Sequence, residues 1–208
     1  MNKELSIKPA IEELQRVFGL LNERYFNGEL QRPVITINTD TQKGTTFGWI
    51  TTSEVWSDKE GGAYREINLC AEYLHRATEL IVSTLLHEMC HLYNMQRGIK
   101  DTSRGVIYHN KHFKNTAEAR GLLIEKAEKI GYSVTSPTQE LITFVRENVR
   151  GECFELERVK KRKDSEETTT RQSMRKYICP VCGFIVRVSK DATGKLMCVD
   201  CDEVFIES

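Results

Sequence analysis

Leu85-Leu86-His87-Glu88-Met89-Cys90-His91 reads H-E-x-x-H inside a run, Leu80 to Leu92, that would be apolar on most sides of a helix. At 3.6 residues per turn, His87 and His91 fall one turn apart on the same face. Two imidazoles so placed can bind one zinc ion at about 2.0–2.1 Å. Glu88 projects about 100° further round, close enough to take a proton from a zinc-bound water. An unpaired carboxylate is costly to bury, so a partner such as that water is implied. The ordinary alternative is a pair of core histidines satisfied by backbone groups, which leaves Glu88 without a purpose. Thr78 is expected as the N-cap of this helix, with Glu79 in its first turn. Gly98 should stop it, with Arg97 beside the C-terminal dipole.

Working outward, Ile11, Leu14, Val17, Phe18, Leu21 and Tyr25 recur at helical spacing and Asn27-Gly28 supplies a stop. Val34–Ile37, Thr46–Thr51 and Arg65–Leu69 read as strands, and a small antiparallel sheet is the economical arrangement. The polar stretch from Ser53 to Tyr64 separates the last two, with Gly61-Gly62 at its tip. Trp49 and Trp56 are expected as core or rim packing. Beyond Gly98 a polar loop runs to Tyr108-His109-Asn110-Lys111-His112-Phe113-Lys114, and a second helix should follow to about Ala119, closed by Gly121. Catalytic zinc takes three protein ligands and keeps one position for water. His109, His112 and Glu118 are all candidates for the third, whereas His75 reads as a surface histidine. Leu122–Ile124 and Gly131–Val134 look like a strand and turn, and Pro137 is placed to open one more helix.

The composition changes after residue 150. From Arg150 to Lys176 there are nine Lys or Arg against six Asp or Glu, a net of +3, and the stretch 151–176 reads as a charged linker. The last segment, 177–208, holds Cys179-Pro180-Val181-Cys182 and Cys198-Val199-Asp200-Cys201, fifteen residues apart. That spacing suits four thiolates around a structural zinc ion, whose binding energy would fold a segment too small for its own core. Its three basic and five acidic residues, a net of −2, make it a poor phosphate binder by charge alone. Cys70, Cys90 and Cys153 are left over and read as buried thiols.

The whole chain has 208 residues, 39% hydrophobic and 29% charged, with zero formal net charge. Nothing global draws it to nucleic acid or membrane. No apolar run approaches the roughly 20 residues that span a bilayer, and the start lacks the apolar core of a signal peptide. The expectation is a cytoplasmic protein with no membrane partner, its association with the nucleoid and its oligomeric state left open. Seven cysteines in such a compartment argue for metal rather than disulfides.

Taken together, these motifs resemble the SprT-like metalloprotease family, which includes the Spartan proteases. Tyr25-Phe26-Asn27-Gly28-Glu29-Leu30, the H-E-x-x-H helix, Tyr108-His109-Asn110-Lys111-His112-Phe113 and the four-cysteine ribbon carry the resemblance, in that order. The resemblance implies an α+β, zincin-like metalloprotease domain over 1–150, the linker over 151–176 and a zinc ribbon over 177–208. It implies metal ligands His87, His91 and His109, a catalytic base at Glu88, and a ribbon zinc held by Cys179, Cys182, Cys198 and Cys201. One zinc ion would be catalytic and one structural. It further implies a protein substrate, with single-stranded or damaged DNA as a candidate partner, and cleavage of DNA-associated or DNA-crosslinked proteins. Two other classes stand beside it: a zinc-containing DNA- or protein-binding scaffold without protease activity, and a metallohydrolase acting on a small amide.

Overall fold

The first helix, α1 (Lys8–Phe26), buries Leu14, Val17, Phe18 and Leu21 along one face, as their spacing predicts. Pro9 sits in its first turn, and left-handed Asn27 and Gly28 end it. The computed structural model describes residues 5–39, 46–103, 107–159, 174–189 and 194–207. It separates into two units, Met1–Lys160 and Lys161–Ser208.

In the first unit α1 is followed by β1 (Val34–Asn38), β2 (Gly48–Ile50), the short pair β3 (Trp56–Ser57) and β4 (Ala63–Tyr64), and β5 (Glu66–Cys70). The sheet order is β1-β5-β2, with β5 parallel to β1 and antiparallel to β2. The expected antiparallel sheet is therefore mixed. β1 and β2 run in opposite directions and β5 lies between them, so one pairing has to be parallel. β5 takes the middle because all five of its residues are buried, the pattern of a strand covered on both faces. Its polar residues are bonded: Thr36 Oγ1 donates to Glu66 Oε1 at 2.7 Å and Trp56 Nε1 to Glu66 Oε2 at 2.7 Å. The amide nitrogen of Asn38 donates to Asn68 Oδ1 at 2.8 Å. Trp56 is thus a rim residue tied down by its indole N–H.

Helix α2 (Thr78–Gln96) crosses the sheet with Ile81, Val82, Leu85, Leu86 and Met89 at most 1% exposed. Its N-cap is Ala77, with extended backbone and no side-chain bond, so Thr78 is the first helical residue and not the cap. Gly98 ends it at φ +65, as expected. Then come β6 (Thr102–Ser103), β7 (Tyr108–His109), α3 (Lys111–Glu118), β8 (Leu122–Ala127), β9 (Gly131–Pro137) and α4 (Gln139–Asn148). A second sheet has the order β6-β7-β9-β8, with β8 and β9 an antiparallel hairpin. Pro137 closes β9 instead of opening α4, and Thr138 caps that helix by accepting from the amide of Leu141 at 3.2 Å. The ring of Pro137 holds Ser136 extended, which suits the end of a strand.

Residues 151–159 lie in the stretch expected as linker, yet Gly151–Phe154 forms a 3-10 turn and Phe154 enters the core. Most of the expected linker, 160–173, lies outside the described residues, including the basic run from Lys160 to Lys163. The second unit holds β10 (Arg175–Ile178), β11 (Ile185–Val188), β12 (Met197–Cys198), β13 (Glu203–Val204) and β14 (Ile206–Glu207). They form the sheet β11-β10-β14 and the pair β12-β13. Its buried core is Cys179, Cys198 and Phe205. The architecture is α+β.

Within the first unit Glu13 is fully buried on α1. It accepts from Arg16 Nε at 3.0 Å, Arg150 Nε at 2.7 Å and the Arg150 amide at 2.9 Å. Burial pushes this carboxyl up, but the bonds from Arg16 and Arg150 outweigh it and hold the pKa at about 2, below the ordinary 4.5. A depressed pKa stabilises the fold above pH 4.5, and that share is lost as the pH falls towards 2. Glu13→Gln should destabilise the first unit by roughly 3 kcal/mol at pH 7. The difference from wild type in urea melts should shrink as pH drops below 4.5; a pH-independent difference would contradict the assignment.

Candidate metal centres

His87 and His91 stand one turn apart on α2, and His109 reaches them from β7. The Nε2 atoms converge, His109 lying 3.2 Å from His87 and 3.0 Å from His91. Four-coordinate zinc with nitrogens at about 2.05 Å requires them about 3.3 Å apart, so the three imidazoles fit such an ion. At His87 and His91 the other nitrogen explains why Nε2 is the free end. Asp101 Oδ2 lies 2.7 Å from His91 Nδ1 and can only accept, which places the proton on Nδ1. Thr135 Oγ1, 2.8 Å from His87 Nδ1, donates its own proton to the Ser133 carbonyl at 3.3 Å and so accepts from the ring. Burial holds His87 well below the ordinary imidazole pKa and His109 at about 4, so both are neutral ligands at pH 7.

Phe113 forms the floor. Its fully buried ring lies 4.5 Å from the rings of His87 and His91 and 4.7 Å from that of His109. Asn110 places it by capping α3, its Oδ1 accepting from the amides of His112 and Phe113 at 2.7 and 3.4 Å. Gly131 places His109: at φ +71, a Cβ there would sit 2.2 Å from the His109 carbonyl oxygen. Only glycine lets β9 close on β7 at that point.

Glu88 is 6% exposed, and burial pushes its carboxyl up to about 7. With His87, His109, Gly48 and Ile130 it lines two adjoining clefts, of about 470 and 460 Å³. Among the described residues β2 is an edge strand of its sheet, beside them. Gly48 allows this closeness, since a Cβ would meet Asn68 O and Thr84 Cγ2 at 2.8 Å. His112 and Glu118 are exposed on α3, and Glu118 pairs with Lys114 at 3.7 Å; neither belongs to the histidine group. His75 pairs with Glu157 at the surface.

A model of the SprT-like family matches residues 14–129 of the 208. The chain belongs to the SprT-like family. Membership points to a metalloprotease-like function. No curated protein and no solved structure matches the chain. The SprT-like match takes in His87, Glu88, His91, Asp101 and His109, whereas Thr135 and the four C-terminal cysteines lie beyond it.

Those cysteines form a second group that could hold a metal, all four Sγ atoms within 4.8 Å of one another. Cys182 and Cys198 Sγ are 3.8 Å apart, the separation that zinc–sulfur bonds of about 2.3 Å give around a tetrahedron. Each C-x-x-C turn is followed by a left-handed residue, Gly183 at φ 73 and Asp202 at φ 53. The amide of Cys182 helps lower the Cys179 thiol to about 7, which favours the ligating thiolate. Cys70, Cys90 and Cys153 join neither group; the first two are buried and Cys153 half-buried.

Asp101, Thr135 and Phe113 carried no role in the sequence reading. Asp101 sits in a polar loop, and nothing in its spacing ties it to His91. It is 4% exposed and also accepts from Asn94 Nδ2 at 2.9 Å, while Asn94 Oδ1 accepts from Thr116 at 2.8 Å. Asp101→Asn should weaken zinc binding at the histidine group by about 10–100-fold in a chelator competition. Unchanged affinity would leave Asp101 a packing residue.

Proposed function

We propose that this protein is a zinc-dependent metallopeptidase that hydrolyses peptide bonds in extended polypeptide, with DNA-associated or DNA-crosslinked proteins as its substrates. The observation that carries the reading is three converging Nε2 atoms beside a buried glutamate, open to a cleft. His87, His91 and His109 hold the ion. A zinc ion bound there supplies Lewis acidity, polarising the scissile carbonyl and acidifying the attacking water.

Glu88 then acts as the general base. Lining the cleft beside the three histidines, its carboxylate is placed to take a proton from the water and return it to the leaving amine. The open edge of β2 can pair with substrate backbone, which makes binding tolerant of side chains. A long α2 beneath a small sheet, with the third histidine downstream, supports a zincin-like reading of the domain. The four cysteines then hold a structural ion, for a donor set of four thiolates leaves no position for substrate. The choice of DNA-linked substrates rests on the family resemblance and on the basic run between residues 158 and 163.

Metal analysis should find two zinc ions per chain, one in a Cys182→Ser/Cys201→Ser variant and one in His87→Ala/His91→Ala. Loss of both ions from either variant would contradict two independent sites. Glu88→Gln should retain zinc and lose on the order of 10²–10⁴ in kcat/KM. The deciding assay follows fragments of a DNA-binding protein with and without single-stranded DNA. Cleavage by wild type alone, and only with DNA, supports the full proposal. Cleavage independent of DNA keeps the peptidase and removes the DNA-linked substrate. No cleavage with zinc bound favours a scaffold.

A further inference from the structure

The two halves of the cleft differ in chemistry. Among the described residues, the half shared with Trp49, Ile50, Met95 and Ile107 has no Lys or Arg in its lining. The other half is lined by Phe47, Leu80, Ser83, Thr84 and Val134, with Arg76 as its single Lys or Arg among the described residues. Arg76 is held on three sides. Its Nε donates to the Tyr73 carbonyl at 3.1 Å, its Nη2 donates to Thr84 Oγ1 at 2.8 Å, and its guanidinium lies 4.0 Å over the Phe47 ring. Phe47 is in turn braced edge-on by Tyr73, 4.8 Å between ring centres.

A half-buried guanidinium normally meets a carboxylate, yet Arg76 forms no ion pair among the described residues. This wall thus presents one rigid cation to whatever occupies the cleft. A guanidinium fixed in place loses little freedom on receiving a carboxylate. A nucleic-acid strand would call for several basic residues along its path, and among the described residues Arg76 is the one Lys or Arg in the two linings taken together.

We propose that the Arg76 half of the cleft is a subsite for an acidic side chain of the polypeptide substrate, with Arg76 as the specificity-determining residue. The subsite rests on the peptidase reading above and names the substrate class that reading leaves open. It confers a preference for Asp or Glu a short distance to one side of the bond beside Glu88.

The test separates binding from turnover. Fluorescein-labelled octapeptides carrying Glu, Gln or Lys at one scanned position are titrated against the zinc-loaded full chain bearing Glu88→Gln, read by anisotropy. At one position the Glu peptide should bind about tenfold tighter than the Gln peptide, the scale of one charge-assisted pair. Arg76→Gln should bring that ratio near one, Arg76→Lys should keep part of it, and Arg76→Glu should favour the Lys peptide. A residue that merely packs would not reverse the preference. Equal binding of Glu and Gln peptides to the Arg76 protein overturns the subsite and leaves the peptidase reading intact. The predicted binding pattern without cleavage by wild type removes the peptidase and keeps the subsite. Displacement of peptide by oligothymidylate from the Arg76 protein but not from Arg76→Gln makes the contact a phosphate one and overturns the proposal.

Discussion

Helix α2 is buried along most of its length, and every polar group it carries must therefore find a defined partner or face a cleft. That constraint explains the neighbourhood of the H-E-x-x-H motif better than the motif does. Asn94, fully buried near the helix end, is bonded to both Asp101 and Thr116. His91 is bonded to Asp101, and His87 to Thr135 on β9. Each bond ties α2 to a different part of the chain and fixes the direction in which an imidazole points. The same contacts that satisfy a buried helix also orient its ligands. Glu88 is the exception, lining the clefts with its carboxyl pushed up to about 7.

The parts of this arrangement that were legible in the sequence are those with a local period. The i,i+4 spacing of His87 and His91 needs only a helix, and the apolar run around them supplies it. The first helix and its Asn27-Gly28 stop follow from the same rule. The sheet did not yield to it, because β5 leaves the order of the chain to sit between β1 and β2. Pairing neighbours in sequence order produces an antiparallel sheet, and the polar–apolar alternation of Glu66-Ile67-Asn68-Leu69 gave no sign that this strand is buried on both faces. His109 came from resemblance and not from spacing, since three downstream side chains were open on residues alone. Asp101 and Thr135 were invisible for a related reason. Each acts across a tertiary contact, 10 and 48 residues from its histidine, and no periodicity encodes such a pair.

The two candidate metal groups stand in opposite relations to the fold. Among its described residues the first unit has a core of 25 buried hydrophobic residues, enough to set its histidines in place through packing. Phe113 under the three rings is part of that core, so the ligand set is shaped before any ion arrives. In the second unit two of the three buried core residues are themselves cysteines of the metal group. Without an ion, four thiols would remain around Phe205 and the partly buried Tyr177, Val186 and Leu196. Metal binding there would be coupled to folding, whereas binding at the histidines would fill a prepared site.

Preparation is uneven even within the histidine group. Two ligands sit on a 19-residue helix, but His109 lies on a two-residue strand whose pairing to β9 is the single register His109–Gly131. A backbone bond from the His109 amide to the Ile130 carbonyl, 3.1 Å, adds to it. So short a ladder holds its residue through geometry more than through energy, and the geometry depends on a glycine that no side chain could replace. The third ligand is thus the adjustable one. An ion bridging it to α2 would lock β7, and β9 with it, against the helix. Thr135 and Ser133 stand on β9, so that lock would also set the part of the lining they share with Arg76. The chemistry and the selectivity proposed for this cleft would therefore share one mechanical support.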